Sequence, residues 1–252
     1  RKFEFILKKS YRNICIGNNM KDAYEKNFHG SFSVFHNYAN TDHLPLSRPK
    51  NLIFSVNKPF KVLFLGSLFQ SLHEGAIHDV CKAVRELFGE GYPIQFNLFG
   101  QRNPIDFLKS ELDNKVVIHK GEIDVNERFK IMEEHYLFII PSSFDKNIAN
   151  QYRYSIPTKL PELLASGRPT IIYGPSVMES HRFCEDNNCG ILISERSIKL
   201  LKSKILSIMS SYKKYLDSSI LETRRILPSI SQNSKIPEFK DFLLNSCTND
   251  HD

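Results

Sequence analysis

The sequence contains no apolar run near the roughly 20 residues a membrane span requires. No secretory signal is read among the residues present. It opens on Arg1 and not on a methionine, so residues upstream of Arg1 are expected in the full protein. Cysteine is sparse: five residues, at 15, 81, 184, 189 and 247. An odd, scattered set argues against a disulfide framework and predicts reduced thiols in a cytosolic setting. No G-x-G-x-x-G turn and no P-loop lysine pattern occurs, so dinucleotide and nucleoside-triphosphate chemistry lose support. There is no G-x-S-x-G elbow, and the nine histidines show no HExxH spacing. No metal site is therefore expected. Cys184 and Cys189 are read as packing residues, and His36, His73 and His119 as structural or surface groups. Internal repeats and low-complexity segments are also lacking.

What is present is ordinary for a soluble globular protein: 41% apolar and 25% charged residues. A chain of 252 residues can be one large domain, or one domain with a piece of another. The net charge of +6 has two readings. It is either a solvated surface or a basic face for an anionic substrate or lipid headgroups. The clusters Lys8, Lys9, Arg12 and Lys199, Lys202, Lys204 are not interleaved with aromatics, so nucleic acid is not an expected partner.

Apolar periodicity predicts a strand over 13–17, a helix over 19–28 and a strand over 31–36. Residues 40–58 contain Pro45 and Pro49, with Pro59 just beyond, and little periodicity; they read as a linker. From Lys61 a regular alternation begins. Strands are expected at 61–66, 94–99, 116–119, 136–140, 170–173 and 190–194. Helices are expected around 77–88, 105–112, 125–135, 180–186 and 198–212, and the stretch 142–156 reads as a polar loop. Beyond Ser218 one further helix is expected at 237–244. Alternating strands and helices with short connections imply right-handed crossovers and a parallel sheet covered on both faces. Such sheets bind ligands outside the carboxyl ends of their strands, near the point where strand order reverses. The loops that matter therefore follow Leu65, Phe99, His119, Ile140 and Tyr173.

The stretch from Tyr154 to Pro175 is the most informative. Pro161 is tolerated only in a first helical turn, which puts a helix start near Thr158. The amides of Thr158, Lys159 and Leu160 then have no intrahelical acceptor. Together with the Lys159 ammonium they form an anion site. Glu162 can reach a neutral part of the same ligand, or can simply pair with Lys159 at i, i+3. Gly167 stands where a helix C′ glycine belongs, and Pro169 blocks continuation. Gly66 and Ser67 end the first regular strand. Either the turn needs the glycine, or Ser67 and the neighbouring amides touch phosphate or sugar. Gly100 serves a turn or lets a planar base approach the backbone. Ser142 and Ser143 are loop polars or line a nucleotide site.

Residues 59–195 resemble the C-terminal, donor-binding domain of a GT-B fold glycosyltransferase of the retaining glycosyl transferases group 1 type. The resemblance rests on VLFLGSL, on HKGEI followed by FIIPSS, and on SIPTKLPELLASGRPTIIYGP. Residues 13–37 resemble the end of the family's N-terminal domain. The resemblance implies the C-terminal half of a GT-B fold: an α/β, Rossmann-like parallel sheet with helices on both faces. It divides the chain into a remnant of the acceptor-side domain at 1–39, a linker at 40–58 and the nucleotide-sugar domain at 59–217. The tail at 218–252 crosses back toward the N-terminal domain.

The resemblance further implies a transferase that moves a sugar from a nucleotide-diphosphate donor to a glycan or lipid-linked acceptor, in polysaccharide or glycoconjugate synthesis. No metal or cofactor is implied, the nucleotide sugar being a substrate. It places the protein in the cytoplasm, at the inner face of the membrane where the absent domain makes peripheral contact. The family carries two glutamates at a fixed spacing. Glu162 matches the second, which contacts ribose; the slot of the first, which contacts the donor sugar, holds Tyr154. Ser67 stands where the family has a diphosphate-binding arginine, and His73 only approximates its lysine. Catalysis would then fall to Lys159, Glu162 and Tyr154, with Gly66, Ser67, Gly100, Ser142, Ser143, Thr158 and Leu160 around the donor. The departures leave two alternatives, a catalytically inactive nucleotide-binding or subunit-interaction module and a sugar-nucleotide epimerase.

Overall fold

The computed structural model describes residues 2–49, 52–100 and 106–244. The N-terminal part holds α1 (Lys2–Lys9), β1 (Asn13–Cys15), α2 (Asn18–Asn27) and β2 (Phe32–Val34). Its two short strands pair in parallel, Asn13 opposite Phe32. The main unit follows with β3 (Phe60–Leu65), α3 (Gln70–Gly89), β4 (Ile94–Phe99), α4 (Asp106–Lys109) and β5 (Val117–Gly121). A 3-10 turn over Val125–Glu127 leads into α5 (Arg128–Glu133), then β6 (Leu137–Pro141), α6 (Lys146–Tyr152), α7 (Leu160–Ala165) and β7 (Thr170–Tyr173). The chain closes with α8 (Glu179–Asp186), β8 (Ile191–Ile193), α9 (Ile198–Ser210), α10 (Tyr212–Ile230) and α11 (Gln232–Leu244).

The six strands from β3 to β8 form one sheet in the order β5-β4-β3-β6-β7-β8, every pair parallel. The chain winds outward from β3 in one direction and returns to lay β6 on its other side. The reversal lies between β3 and β6, which is where an open parallel sheet forms its ligand crevice.

Side-chain alternation explains why both faces are covered. Val62 and Phe64 of β3, Leu137 and Ile139 of β6, and Ile171 and Tyr173 of β7 enter one apolar cluster with α3 and α9. Leu63 and Leu65, Phe138 and Ile140, and Ile172 enter the other, with α7 and α8. A period of two with apolar residues at both phases produces the continuous apolar runs of a doubly covered strand.

Several sequence expectations change. The polar stretch 142–156 contains a helix, α6, because Asp145 caps it: its carboxylate accepts from the Asn147 and Ile148 amides at 2.9 and 3.0 Å. Only Ala149 of that helix is buried, so the apolar pattern that marks a helix is missing. The tail is more helical than expected. α10 runs through 217/218, so the domain boundary placed there falls within a helix. The helix expected at 237–244 begins at Gln232 and contains Pro237. The start of the helix expected at 105–112 lies outside the described residues, as does Cys247; the described part, α4, ends at Lys109.

The described residues of the linker at 40–58 are irregular but anchored. The buried Leu46 donates its amide to the Ser166 carbonyl at 2.9 Å, and Arg168 Nη2 donates to the Ser47 carbonyl at 2.7 Å. α10 donates from Thr223 Oγ1 to the Leu164 carbonyl, and α11 then packs Phe239 and Phe242 against Phe35.

Candidate functional site

A cavity of about 610 Å³ opens at the carboxyl ends of the strands, within the usual size of small-molecule sites. Gly66, Ser67, Phe69, Leu72 and His73 line it after β3, Gly100 after β4, and Ile123, Asp124, Val125 and Arg128 after β5. Ser142 after β6 and residues 155–159 before α7 complete the wall, with Tyr152 and Met178.

Gly66 adopts φ +149°, a conformation that disfavours any Cβ. A Cβ on Gly100 would stand 2.2 Å from the Gly66 carbonyl oxygen. The two glycines let the ends of β3 and β4 touch by backbone, and this contact accounts for Gly100 without a base.

α3 begins at Gln70, ahead of the apolar face that announced it, and Phe69 at its N-cap supplies no capping side chain. The positive end of this 20-residue helix therefore lies against the cavity, where Phe69, Leu72 and His73 form the wall. His73 Nδ1 lies 2.9 Å from the Phe69 amide nitrogen and 3.1 Å from the Phe69 carbonyl oxygen. Burial lowers His73 to about 4, so the ring is neutral near pH 7 and supplies no cation.

The segment before α7 departs from the expected helix start. α7 begins at Leu160, not Thr158, and Pro157–Lys159 forms a turn closed by the Leu160 amide donating to the Pro157 carbonyl at 3.0 Å. Leu160 is fully buried, does not line the cavity, and has no free amide to offer. Thr158 and Lys159 do line it. Gly167 follows α7 with φ +74°, the left-handed cap that its sequence position predicts.

Glu162 is 6% exposed and lies in the cavity's supporting layer, behind its lining residues. Its Oε2 is 3.8 Å from Lys159 Nζ, and its Oε1 is 2.7 Å from Arg128 Nε. The closer contact is an ion pair without hydrogen-bond alignment, since both atoms are buried and neither makes an aligned bond. Burial raises the Glu162 pKa, and the two cations oppose that rise.

Tyr154 does not line the cavity. Its hydroxyl accepts from Arg153, whose guanidinium carbon lies 4.6 Å over its ring. Tyr152, two residues earlier, lines the wall instead. Ser143 is also turned away: its amide donates to the Leu72 carbonyl at 2.7 Å, and its hydroxyl accepts from the Asp145 amide at 3.2 Å. The structure thus gathers Gly66, Ser67, Gly100, Ser142, Thr158 and Lys159 around one cavity and leaves Tyr154, Ser143 and Leu160 outside its wall.

Arg128 escaped the sequence reading, where it was one polar residue of a helix over 125–135. Its position in the turn after β5 was the available signal, because that loop sits at a strand's carboxyl end. Among the described residues no helix is long and apolar enough to cross a membrane, and no cluster of three His, Cys, Asp or Glu could hold a metal ion.

Residues 59–211 match the family described as glycosyl transferases group 1. No curated protein sequence matches the chain. Sucrose-phosphate synthase from Thermosynechococcus elongatus superposes with TM-score 0.69 at 14% identity, covering 96% of this chain and 61% of that one. S. aureus TarM, in a structure that includes UDP, gives 0.65 at 17% identity over 96% of this chain and 45% of that one. Anabaena HepE, in complex with UDP and glucose, gives 0.67 at 14% identity over 94% and 63%. At these identities the likeness is one of fold, and the chain spans 45% to 63% of the lengths of these three structures.

Proposed function

The chain belongs to the glycosyl transferases group 1 family, and from that premise we propose that it is the donor-binding half of a glycosyltransferase that uses a nucleotide-diphosphate sugar. The observation that carries this reading is the cavity at the strand-order reversal, with Lys159 on its wall and the buried Glu162 behind it. The bound UDP in the HepE and TarM structures supports the same class of ligand.

In this reading the diphosphate lies against Gly66, Ser67, Thr158 and Lys159, beneath the N-terminus of α3. Lys159 and the helix end meet the charge that develops on the leaving diphosphate, a preorganised electrostatic term of the kind that dominates much enzymatic catalysis. Protein groups, not a metal ion, are assigned that task. Glu162 orients the ribose. The acceptor is a glycan or lipid-linked sugar, held by a domain outside the described chain, with the work done in the cytoplasm beside a membrane.

Lys159→Ala is expected to weaken nucleoside-diphosphate binding by about 1 kcal/mol or more, the scale of a charged hydrogen bond. Calorimetry measures it, and an unchanged affinity removes Lys159 from the site.

One observation favours a second reading, a binding module without turnover. The residue in the first-glutamate slot, Tyr154, is held by Arg153 and does not reach the cavity wall. A transfer assay on the full-length gene product decides. Donor turnover that disappears in Glu162→Ala excludes the binding module, and nucleotide binding with no turnover favours it.

A further inference from the structure

Resting on the nucleotide-donor reading, we propose that Arg128 is a second cation for the donor's diphosphate, held on the opposite oxygen of Glu162 from Lys159. Arg128 is the first residue of α5 and lines the cavity after β5. Its side chain is 18% exposed, so most of it is packed and its open part belongs to the cavity wall. Two contacts orient it. Nε stands 2.7 Å from Glu162 Oε1, and the guanidinium carbon lies 5.4 Å from the Phe129 ring centroid. Among the described residues neither contact occupies the two Nη groups, which carry four of the five guanidinium donors. Paired Nη donors match the oxygens of a phosphate.

The charges around the cavity point the same way. Among the described residues its wall carries Arg128, Lys159 and one acid, Asp124, whose carboxylate already accepts from the Asn126 amide at 2.8 Å. His73, in the first turn of α3, is neutral because burial lowers it to about 4. Two cations therefore share one buried carboxylate. A purely structural buried pair recovers its desolvation cost through aligned hydrogen bonds. Here both Arg128 Nε and Glu162 Oε1 are buried without one. The pairing is therefore by charge alone, and an anion in the cavity between Arg128 and Lys159 is met by the guanidinium Nη donors and the ammonium, not by these two buried atoms. Ser67, at the end of β3, cannot supply this charge.

The test uses the full chain and calorimetry. Binding of UDP, GDP and ADP is measured, each against its own nucleoside, for the wild type, Arg128→Gln and Arg128→Lys. Circular dichroism verifies that each variant is folded. For the diphosphate that the wild type binds most tightly, Arg128→Gln is expected to weaken binding about 10-fold or more. The matching nucleoside should change by less than about twofold, and the salt dependence of diphosphate binding should flatten. Arg128→Lys should fall between, because it keeps the charge and loses the fork; it carries the test if the glutamine variant does not fold. Equal weakening of nucleoside and diphosphate would assign Arg128 to holding Glu162 alone and overturn the proposal. So would diphosphate binding that both variants leave unchanged, with the donor reading still standing. A wild type that binds no nucleoside diphosphate would overturn the donor reading and this assignment together.

Discussion

Arg128 Nε lies 2.7 Å from Glu162 Oε1, joining the start of α5 to the first turn of α7 across the supporting layer of the cavity. The carboxylate is almost fully buried, yet two cations from separate elements reach it. Glu162 is therefore a fixed counter-charge as well as a prospective ribose ligand.

That dual position makes ribose recognition measurable. If Glu162 accepts from the ribose hydroxyls, Glu162→Gln should reduce the preference for a ribonucleoside diphosphate over its 2′-deoxy counterpart by about 1 kcal/mol, the scale of one hydrogen bond. Calorimetric titration of both ligands reads the difference. An unchanged preference would leave Glu162 only its role as partner of Arg128 and Lys159.

The backbone contact between the ends of β3 and β4 predicts an asymmetry between two glycines. A Cβ at Gly100 meets the Gly66 carbonyl oxygen at 2.2 Å, whereas one at Gly89, the last residue of α3, meets nothing within 4 Å. Gly100→Ala should destabilise the fold by about 1–3 kcal/mol through overpacking. Gly89→Ala should be neutral or stabilise by up to about 1 kcal/mol. Urea unfolding of the two variants side by side gives the answer.

Among the contacts that tie the N-terminal segment to the main unit, the Glu179 side chain holds the start of α2. Glu179, 1% exposed at the start of α8, accepts from the Asn18 and Asn19 amides at 2.7 and 2.8 Å and so caps α2 from outside. Gly17 is required beside it, because a Cβ there would lie 2.3 Å from the Glu179 carboxyl carbon. Glu179→Ala should leave two amides at a helix start without their acceptor, at a cost of about 1–3 kcal/mol. Hydrogen exchange at Asn18 and Asn19 should accelerate before exchange in β3 or β6 does. Unchanged protection would show that α2 is held by other contacts.

Acid should destabilise the protein in a definite window. Burial lowers His73, His135 and His181 to about 4 each, while an unfolded histidine titrates near 6.5. Between those values the unfolded chain binds protons that the native state refuses. The stability contributed is complete above about pH 6.5 and is lost as pH falls toward 4, by up to about 1.4 kcal/mol per pH unit for each ring. Glu162 and Glu179 act in the opposite sense: burial raises both, so their protonation relieves a cost and offsets part of the loss. Urea midpoints from pH 7.5 to 4.5 should decline, and nuclear magnetic resonance should find these three rings neutral at pH 5.5. Three rings that titrate near 6.5 would refute the assignment.

The order of elements from β3 to α9 was readable because each strand is a continuous apolar run and the longer helices show an apolar stripe. Both are local signals with their own periods. The same signal failed at α6, whose start depends on the Asp145 carboxylate and which buries only Ala149. It also failed at α7, where Pro161 limited the start but the Pro157–Lys159 turn set it two residues later.

At the site, chain connectivity was enough to say which strand ends would carry it. Parallel connections send every strand's carboxyl end to one edge, and Gly66, Gly100, Ser142 and Lys159 follow those ends. Which side chains face inward depends on packing. Tyr154 and Tyr152 are two residues apart and chemically alike, yet only Tyr152 reaches the wall, because Arg153 holds the other ring. Arg128 and Glu162 lie far apart in the chain and meet only when the segments that follow β5 and β6 come together at the same crevice. Periodicity reports the face a residue presents within its own element. Which distant charge stands across from it is set by how the elements pack, and no local pattern contains that.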